Sequence, residues 1–217
     1  KRFITDAGHE LTTPIAIIQA DTDVLTLETG EDNEWIDDIQ HQVRRLSTLT
    51  NDLIYLSRME EPQRQTAFLP LPFSDLVAET AQSFQAVAKS QGKTFSLRIQ
   101  PTLTLVGEEK SLGQLVSILL DNAVKYADEH ACIKLSLEKG KKGPVIRTMN
   151  PCTGLTRQQV ERLFDRFYRV DQSRTTGGFG IGLSMARSIA EGHKGSIKAT
   201  CCEENKIEFT VLLGKCV

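Results

Sequence analysis

Nowhere in the 217 residues does an apolar run approach the ~20 residues that a membrane-spanning helix needs. No basic, apolar, small-residue series at the start reads as a secretory signal. The stretch itself is therefore expected to be soluble, with any membrane span lying in segments outside it. Basic excess is missing too: 26 Lys and Arg against 28 Asp and Glu leave a net charge of -2, so a broad nucleic-acid footprint is not expected. The five cysteines, Cys132, Cys152, Cys201, Cys202 and Cys216, are odd in number and contain no C-x-x-C pair. They read as reduced thiols of a cytosolic protein rather than a disulfide framework or a zinc site. Internal repeats and low-complexity tracts are also lacking. What remains is an ordinary globular composition, 40% hydrophobic and 25% charged, long enough for one large domain or two small ones.

Two helical seams open the chain. Ile4, Leu11, Ile15, Ile18 and Leu25, with Gly8 and Thr22 filling the gaps, follow the alternating three-and-four spacing of one seam; Trp35, Ile39, Val43, Leu46, Thr50, Leu53 and Leu56 form the second. Between them Gly30 can end one helix and Asn33 can cap the next. Two helices alone cannot cover two apolar stripes, so the hairpin is expected to complete a four-helix bundle as a homodimer. The run from Glu60 to Gln65 has no periodicity and reads as a linker. Beyond it helices and strands alternate: a helix capped by Ser74, strands at 95–99 and 103–106, a helix at 112–127, strands at 132–137 and 144–147, helices after Thr156 and Gly182, and strands at 196–201 and 207–213. Strands outnumber crossover helices, so the expected fold is α+β in two domains, with helices on one face of a sheet.

Thr176-Gly177-Gly178-Phe179-Gly180-Ile181-Gly182-Leu183 leads into an apolar-periodic helix. Glycines let a backbone approach a phosphate, and a helix start offers unpaired N–H groups and a positive dipole end. A phosphate cradle is the natural reading, with an ordinary glycine loop as its alternative. No Gly-Lys-Ser/Thr follows, as a Walker A loop would require, and no strand precedes it, as a dinucleotide fingerprint would.

Four separated motifs now agree in order. His9-Glu10-Leu11-Thr12-Thr13-Pro14 resembles the phosphoacceptor box of bacterial sensor histidine kinases, and Asp121-Asn122-Ala123-Val124-Lys125-Tyr126 their asparagine box. Leu163-Phe164-Asp165-Arg166-Phe167-Tyr168-Arg169 is similar to their phenylalanine box, and Gly178-Phe179-Gly180-Ile181-Gly182-Leu183 to their second glycine box. The resemblance implies a dimerisation and histidine-phosphotransfer hairpin over 1–61, a linker over 62–67, and a Bergerat-type ATP-binding α/β sandwich over 68–217. It further implies ATP and Mg2+ as cofactors, a cognate response regulator as partner, and a cytoplasmic portion of a protein anchored in the cell membrane by segments absent from this chain.

At 3.6 residues per turn His9 lies about 140–240° around its helix from the seam, so it should face solvent. Its neutral imidazole is a nucleophile for phosphorus; Glu10 can accept a hydrogen bond from one ring nitrogen and leave the other free to attack. Thr13, four residues on, shares the face of His9 and could position a water, the phosphatase role that the resemblance implies. Pro14 lacks the N–H that would bond the Glu10 carbonyl and should bend the helix. Magnesium needs only one protein oxygen, from Asn122, beside phosphates and waters. Lys125 can reach a phosphate and Tyr126 can line the nucleotide. Phe164 and Phe167 read as the hinge of a lid over the triphosphate or as plain core, and Gly178, Gly180, Gly182 and Leu183 as its glycine lip. His41, His130 and His193 have no ligand spacing.

Two departures stand out. The family's earlier asparagine is here Ile118, and its Asp-x-Gly-x-Gly adenine box is Asn150-Pro151-Cys152-Thr153-Gly154. Asn150 can accept from the adenine amine without charge assistance, at a cost of about 1 kcal/mol. Thr12 also stands where arginine is common. The leading expectation is an ATP-dependent protein-histidine kinase that phosphorylates its own His9. An attenuated or pseudokinase scaffold acting mainly as phosphatase or nucleotide sensor, and an ATPase related to gyrase and heat-shock chaperones, are the alternatives.

Overall fold

The computed structural model describes residues 2–29, 33–59, 68–170, 179–202 and 205–214. The chain divides into two compact units, a helical hairpin and an α/β unit. Gly30, the residues from Glu60 to Gln65, and Gly178, all singled out above, lie outside the described residues.

The hairpin pairs α1 (Arg2–Thr29) with α2 (Glu34–Met59). Asn33 caps α2 as expected: its side-chain oxygen accepts from Trp35 N at 3.2 Å, and its carbonyl from Ile36 N and Asp37 N. Glu34 and Asp37 then place negative charge on the positive end of the helix. Helix α1 runs on through Pro14. The seams split into two kinds of row. Ile15 and Thr22 on α1, and Ile36, Val43, Thr50 and Ile54 on α2, are buried, whereas Leu11, Ile18, Leu25, Ile39 and Leu46 remain exposed. Trp35, assigned above to the seam, is 72% exposed; its neighbour Ile36 takes the inward position. Buried Thr22 bonds the carbonyls of Ile18 and Gln19 on its own helix, and Gln40 Nε2 ties α2 to Asp23 Oδ1 and Thr26 Oγ1 at 3.0 and 3.2 Å.

The α/β unit contains β1 (Leu69–Pro72), α3 (Phe73–Ser90), β2 (Thr94–Ile99), β3 (Thr104–Gly107), α4 (Glu109–Tyr126), β4 (Cys132–Gly140), β5 (Gly143–Pro151), α5 (Arg157–Arg162), α6 (Gly182–Gly192), β6 (Ser196–Cys202) and β7 (Lys206–Leu212). Its main sheet has the order β2-β4-β5-β7-β6, antiparallel except for the parallel pair β2 and β4; β1 and β3 form a separate antiparallel pair. Ile133, Leu135 and Leu137 on β4, Ile146 and Thr148 on β5, and Ile207, Phe209 and Val211 on β7 all point inward. Lys134, Glu138 and Lys198 stay exposed, so one face is covered. Val77 and Ala81 of α3, Leu112, Leu115, Val116, Leu119 and Leu120 of α4, and Ala186 and Ile189 of α6 make the covering layer, each fully buried. At about 1.5–3 kcal/mol per large aliphatic side chain, α4 is the main contributor to this core.

Two local expectations are corrected. Ser74 does not cap α3, which begins at Phe73 after Pro72. Its hydroxyl instead donates to Gln100 O at 2.6 Å and accepts from Leu103 N at 2.9 Å, fastening α3 to the turn before β3. The 103–106 strand begins one residue later and pairs with the Leu-Pro-Leu-Pro strand β1, which is permitted in spite of its prolines because it is an edge strand.

Candidate nucleotide and phosphotransfer site

His9, Glu10 and Thr13 all lie within α1, His9 and Thr13 one helical turn apart. The side chains of these three residues, and with them the expectation that His9 faces solvent, lie outside the described residues.

In the α/β unit Asn122, Lys125 and Tyr126 stand together at the end of α4. Asn122 is partly exposed, Tyr126 is 39% exposed, and Lys125 Nζ donates to Asp121 Oδ2 at 2.6 Å one turn earlier. This exposed i,i+4 pair is weak enough to be exchanged for a phosphate oxygen. Lys93 Nζ donates to the Val124 carbonyl at 2.6 Å, satisfying a group that the helix end leaves open. Asp128, which no motif flagged, joins this end to the loop after β5. Its carboxylate accepts from Thr153 N and Thr153 Oγ1 at 3.2 and 2.8 Å, while its own N–H donates to Pro151 O at 3.1 Å. Gly154 follows at φ +84, with nothing within 4 Å of where a Cβ would stand, so its backbone conformation, not crowding, calls for glycine.

Asn150 is on the covered face of β5, 1% exposed. Its Nδ2 donates to Pro151 O at 3.2 Å, but its Oδ1 has no partner, and neither does Thr148 Oγ1 two residues earlier. Among the described residues these are the buried side-chain oxygens without a hydrogen bond. Each such group costs about 1–3 kcal/mol until something satisfies it. An acceptor of this kind fits the exocyclic amine of adenine. Cys152, between Asn150 and Gly154, has its thiol pKa pushed up by burial, with the negative charge of Asp128 and then Cys201 adding to the effect.

The phenylalanines divide. Phe164 is buried, edge-on to Phe209 with ring centroids 6.3 Å apart, and the Arg187 guanidinium lies 5.2 Å from its ring centre. Phe167 is 60% exposed in a left-handed conformation, φ +63, so the plain-core reading fails for it. Phe167 N donates to Gly180 O at 2.9 Å, and Gly180 at φ +71 lies so close that a Cβ there would meet Tyr168 O at 2.6 Å. Gly182 opens α6, with Ile118 Cγ2 3.5 Å from where its Cβ would stand, and Leu183 is buried behind it. A cavity of about 450 Å³ beside Phe167 is lined by Arg162, Asp165, Arg166, Tyr168 and Arg169. Arg166 and Arg169 fall within the phenylalanine box, but the sequence assigns them no role; Arg162 pairs with Asp165 at 3.5 Å and lies over the Tyr168 ring.

Of the remaining histidines, His41 and His130 are exposed. His193 is buried and satisfied twice: Nδ1 donates to Ile189 O at 2.8 Å, Nε2 accepts from Glu108 N at 3.1 Å, and Phe68 stacks on the ring. Among the described residues no three His, Cys, Asp or Glu side chains cluster to hold a metal, and no helix is long and apolar enough to cross a membrane.

Comparison with known proteins gives this arrangement its context. Residues 107–215 match the family described as histidine kinase-, DNA gyrase B- and HSP90-like ATPase, and residues 1–62 match the His Kinase A (phospho-acceptor) domain. The chain is 34% identical over 200 residues to sensor protein DltS of Streptococcus agalactiae, covering 92% of this chain and 50% of that protein. It is 31% identical over 220 residues to sensor histidine kinase RppB of Synechocystis, covering 98% and 48%. It thus spans about half the length of the curated relatives it matches. Full-length ShkA, solved in complex with AMPPNP, shares the fold with a TM-score of 0.82 at 18% identity, covering 100% of this chain and 47% of that one. With a phospho-acceptor domain followed by the ATPase domain in one chain, the protein belongs to the sensor histidine kinases of two-component systems.

Proposed function

We propose that the chain is the catalytic core of an ATP-dependent protein-histidine kinase that phosphorylates His9 and passes the phosphoryl group to an aspartate of a response regulator. Residues 1–61 serve as the dimerisation and phosphotransfer hairpin, 62–67 as linker and 68–217 as the ATP-binding domain. The observation that carries the reading is the succession of phospho-acceptor and ATPase families in one chain, supported by an unsatisfied buried acceptor at Asn150.

Asn150 and Thr148 offer hydrogen bonds to a purine edge, while Tyr126, Gly154 and Leu183 line the nucleotide. Lys125 exchanges Asp121 for a phosphate, and Phe164 anchors the segment whose Phe167, Arg162 and Arg166 turn outward. Gly180 and Gly182 would bring backbone N–H groups to the phosphates, and Gly178, outside the described residues, joins them by motif alone. Asn122, partly exposed on α4, would supply one amide oxygen to Mg2+, the other ligands coming from nucleotide phosphates and water. When bound, the ion neutralises triphosphate charge during transfer. Glu10 would serve as the hydrogen-bond acceptor for one nitrogen of His9. The lone pair of the other forms the N–P bond as the bond from the γ-phosphorus to the bridging oxygen breaks and ADP leaves.

The exposed rows at Leu11, Ile18, Leu25, Ile39 and Leu46 support a homodimer through the hairpin. We place the chain on the cytoplasmic side of a membrane-anchored protein, with no nucleic acid among its partners. A second reading draws on Ile118 in place of the family's earlier asparagine and on the uncharged Asn150: a slow kinase acting chiefly as regulator phosphatase through Thr13. Incubation with magnesium and γ-labelled ATP tests the first reading. Acid-labile label that disappears in His9→Gln is expected; no label under any nucleotide condition sinks it. The second expects little label but regulator dephosphorylation that Thr13→Ala abolishes.

A further inference from the structure

We infer that the purine site accepts 6-oxopurine nucleotides beside 6-aminopurine ones, and that Asn150 together with Thr148 sets this tolerance. The inference rests on the nucleotide-binding reading above and extends it to the class of nucleotide. Asn150 Oδ1 and Thr148 Oγ1 are the two buried side-chain oxygens without partners among the described residues, and both stand on the covered face of β5. Leu135 and Phe209 flank Thr148 in the sheet and Ile207 flanks Asn150, so no neighbouring strand presents a polar side chain to them at those positions. Two residues on, the loop fastened by Thr153 to Asp128 brings this end of β5 to the end of α4 that carries Asn122 and Tyr126.

The chemistry of the two groups decides the selectivity. A carboxylate only accepts hydrogen bonds, so a site built on one rejects a keto oxygen. A carboxamide accepts at one end and donates at the other, and a hydroxyl does both. Adenine offers a donor at its 6-amine and an acceptor at N1. Hypoxanthine offers the reverse, an acceptor at O6 and a donor at N1. Both polarities are opposite, and both unpartnered groups of this protein can reverse. With Nδ2 on Pro151 O, the amide presents its oxygen, the orientation for adenine. Turning it over to donate to O6 gives up the 3.2 Å hydrogen bond and sets Oδ1 against the Pro151 carbonyl, about ten- to a hundredfold in affinity. Sites that leave a buried polar group facing the wrong polarity instead discriminate by about 10⁴-fold.

The test is equilibrium titration of the chain with magnesium ATP and magnesium inosine triphosphate, which differ only at the edge in question. In the natural sequence the two should bind within about a hundredfold of each other, and in Asn150→Asp the ratio should widen in favour of ATP by a further tenfold or more. Thr148→Val should weaken both by similar factors. Inosine triphosphate binding about a thousandfold or more below ATP in the natural chain, or a ratio that Asn150→Asp leaves unchanged, overturns the inference while ATP binding keeps the kinase reading intact. Failure of every nucleotide to bind overturns both. Should Asn150→Asp not fold, as judged by circular dichroism, the ratio in the natural chain decides alone.

Discussion

The hairpin and the α/β unit solve the problem of burial differently. In the α/β unit, helix α4 presents five fully buried aliphatic residues, Leu112, Leu115, Val116, Leu119 and Leu120, to a sheet covered on one face. The hairpin buries Ile15, Ile36, Val43 and Ile54 and leaves a comparable set, Leu11, Ile18, Leu25, Ile39 and Leu46, in water. One unit is complete as a folding unit, and the other has a core only half made. On the reading proposed above, a chain that carries both would keep its nucleotide chemistry in a self-sufficient body while a second copy completes the stem.

The largest expected effect breaks the self-sufficient half. Leu119→Ala, at a fully buried position, should destabilise the α/β unit by about 2–5 kcal/mol. The fluorescence of Trp35, the lone tryptophan and a hairpin residue, should hold through that transition in a urea titration; a coincident change in both signals would show that the units are not separate. Next comes the other half. Ile39→Glu places a carboxylate in the outer row of each copy, and weakening of self-association by about a hundredfold or more is expected in sedimentation equilibrium. The α/β unit should melt as before, and an undisturbed dimer would refute the assignment of that row. Gly180→Ala acts within one unit: at φ +71 and against Tyr168 O it should cost about 1–3 kcal/mol and appear as weaker ATP binding with self-association unchanged. The smallest effect is chemical. Because the Cys152 pKa is raised by burial, less of it is thiolate at pH 8, so iodoacetamide should label it more slowly than exposed Cys132, with the gap narrowing as pH rises. Equal rates by mass spectrometry would contradict the burial of that thiol.

Much of this was legible in residue order because it is local. The Asn33 cap, the period of the two helices and the alternation of Ile133, Leu135 and Leu137 are properties of short windows. The Thr156 and Gln159 capping box, found in the structure, is another. What escaped is long-range or ambiguous. Strand β1 hid because its two prolines argue against a strand, and only the distant partner β3 makes it one. Ser74 looked like a cap because serine prefers caps; a turn 26 residues away claims its hydroxyl. The tie from Asp128 to Thr153, and the burial of His193 against Glu108 N, join residues 25 and 85 apart. Periodicity found the hairpin seams but could not say which row faces inward, since both repeat every seven residues. At the candidate site, Asn122, Lys125, Asn150 and Gly180 were marked by motif, whereas Thr148 carried no signal: a threonine in a strand reads as an ordinary β-former.

Those two rows have a consequence for how such a stem can change length. On α1 they sit about 40–60° apart around the axis, while each added residue turns the helix by about 100°. Inserting one residue between Ile15 and Thr22 would therefore carry half of each stripe past its neighbour and leave neither surface continuous. Seven residues restore both stripes to within about 20°. Eleven residues do the same from the other side, so changes in the length of this stem are expected in steps of seven or eleven residues rather than of one.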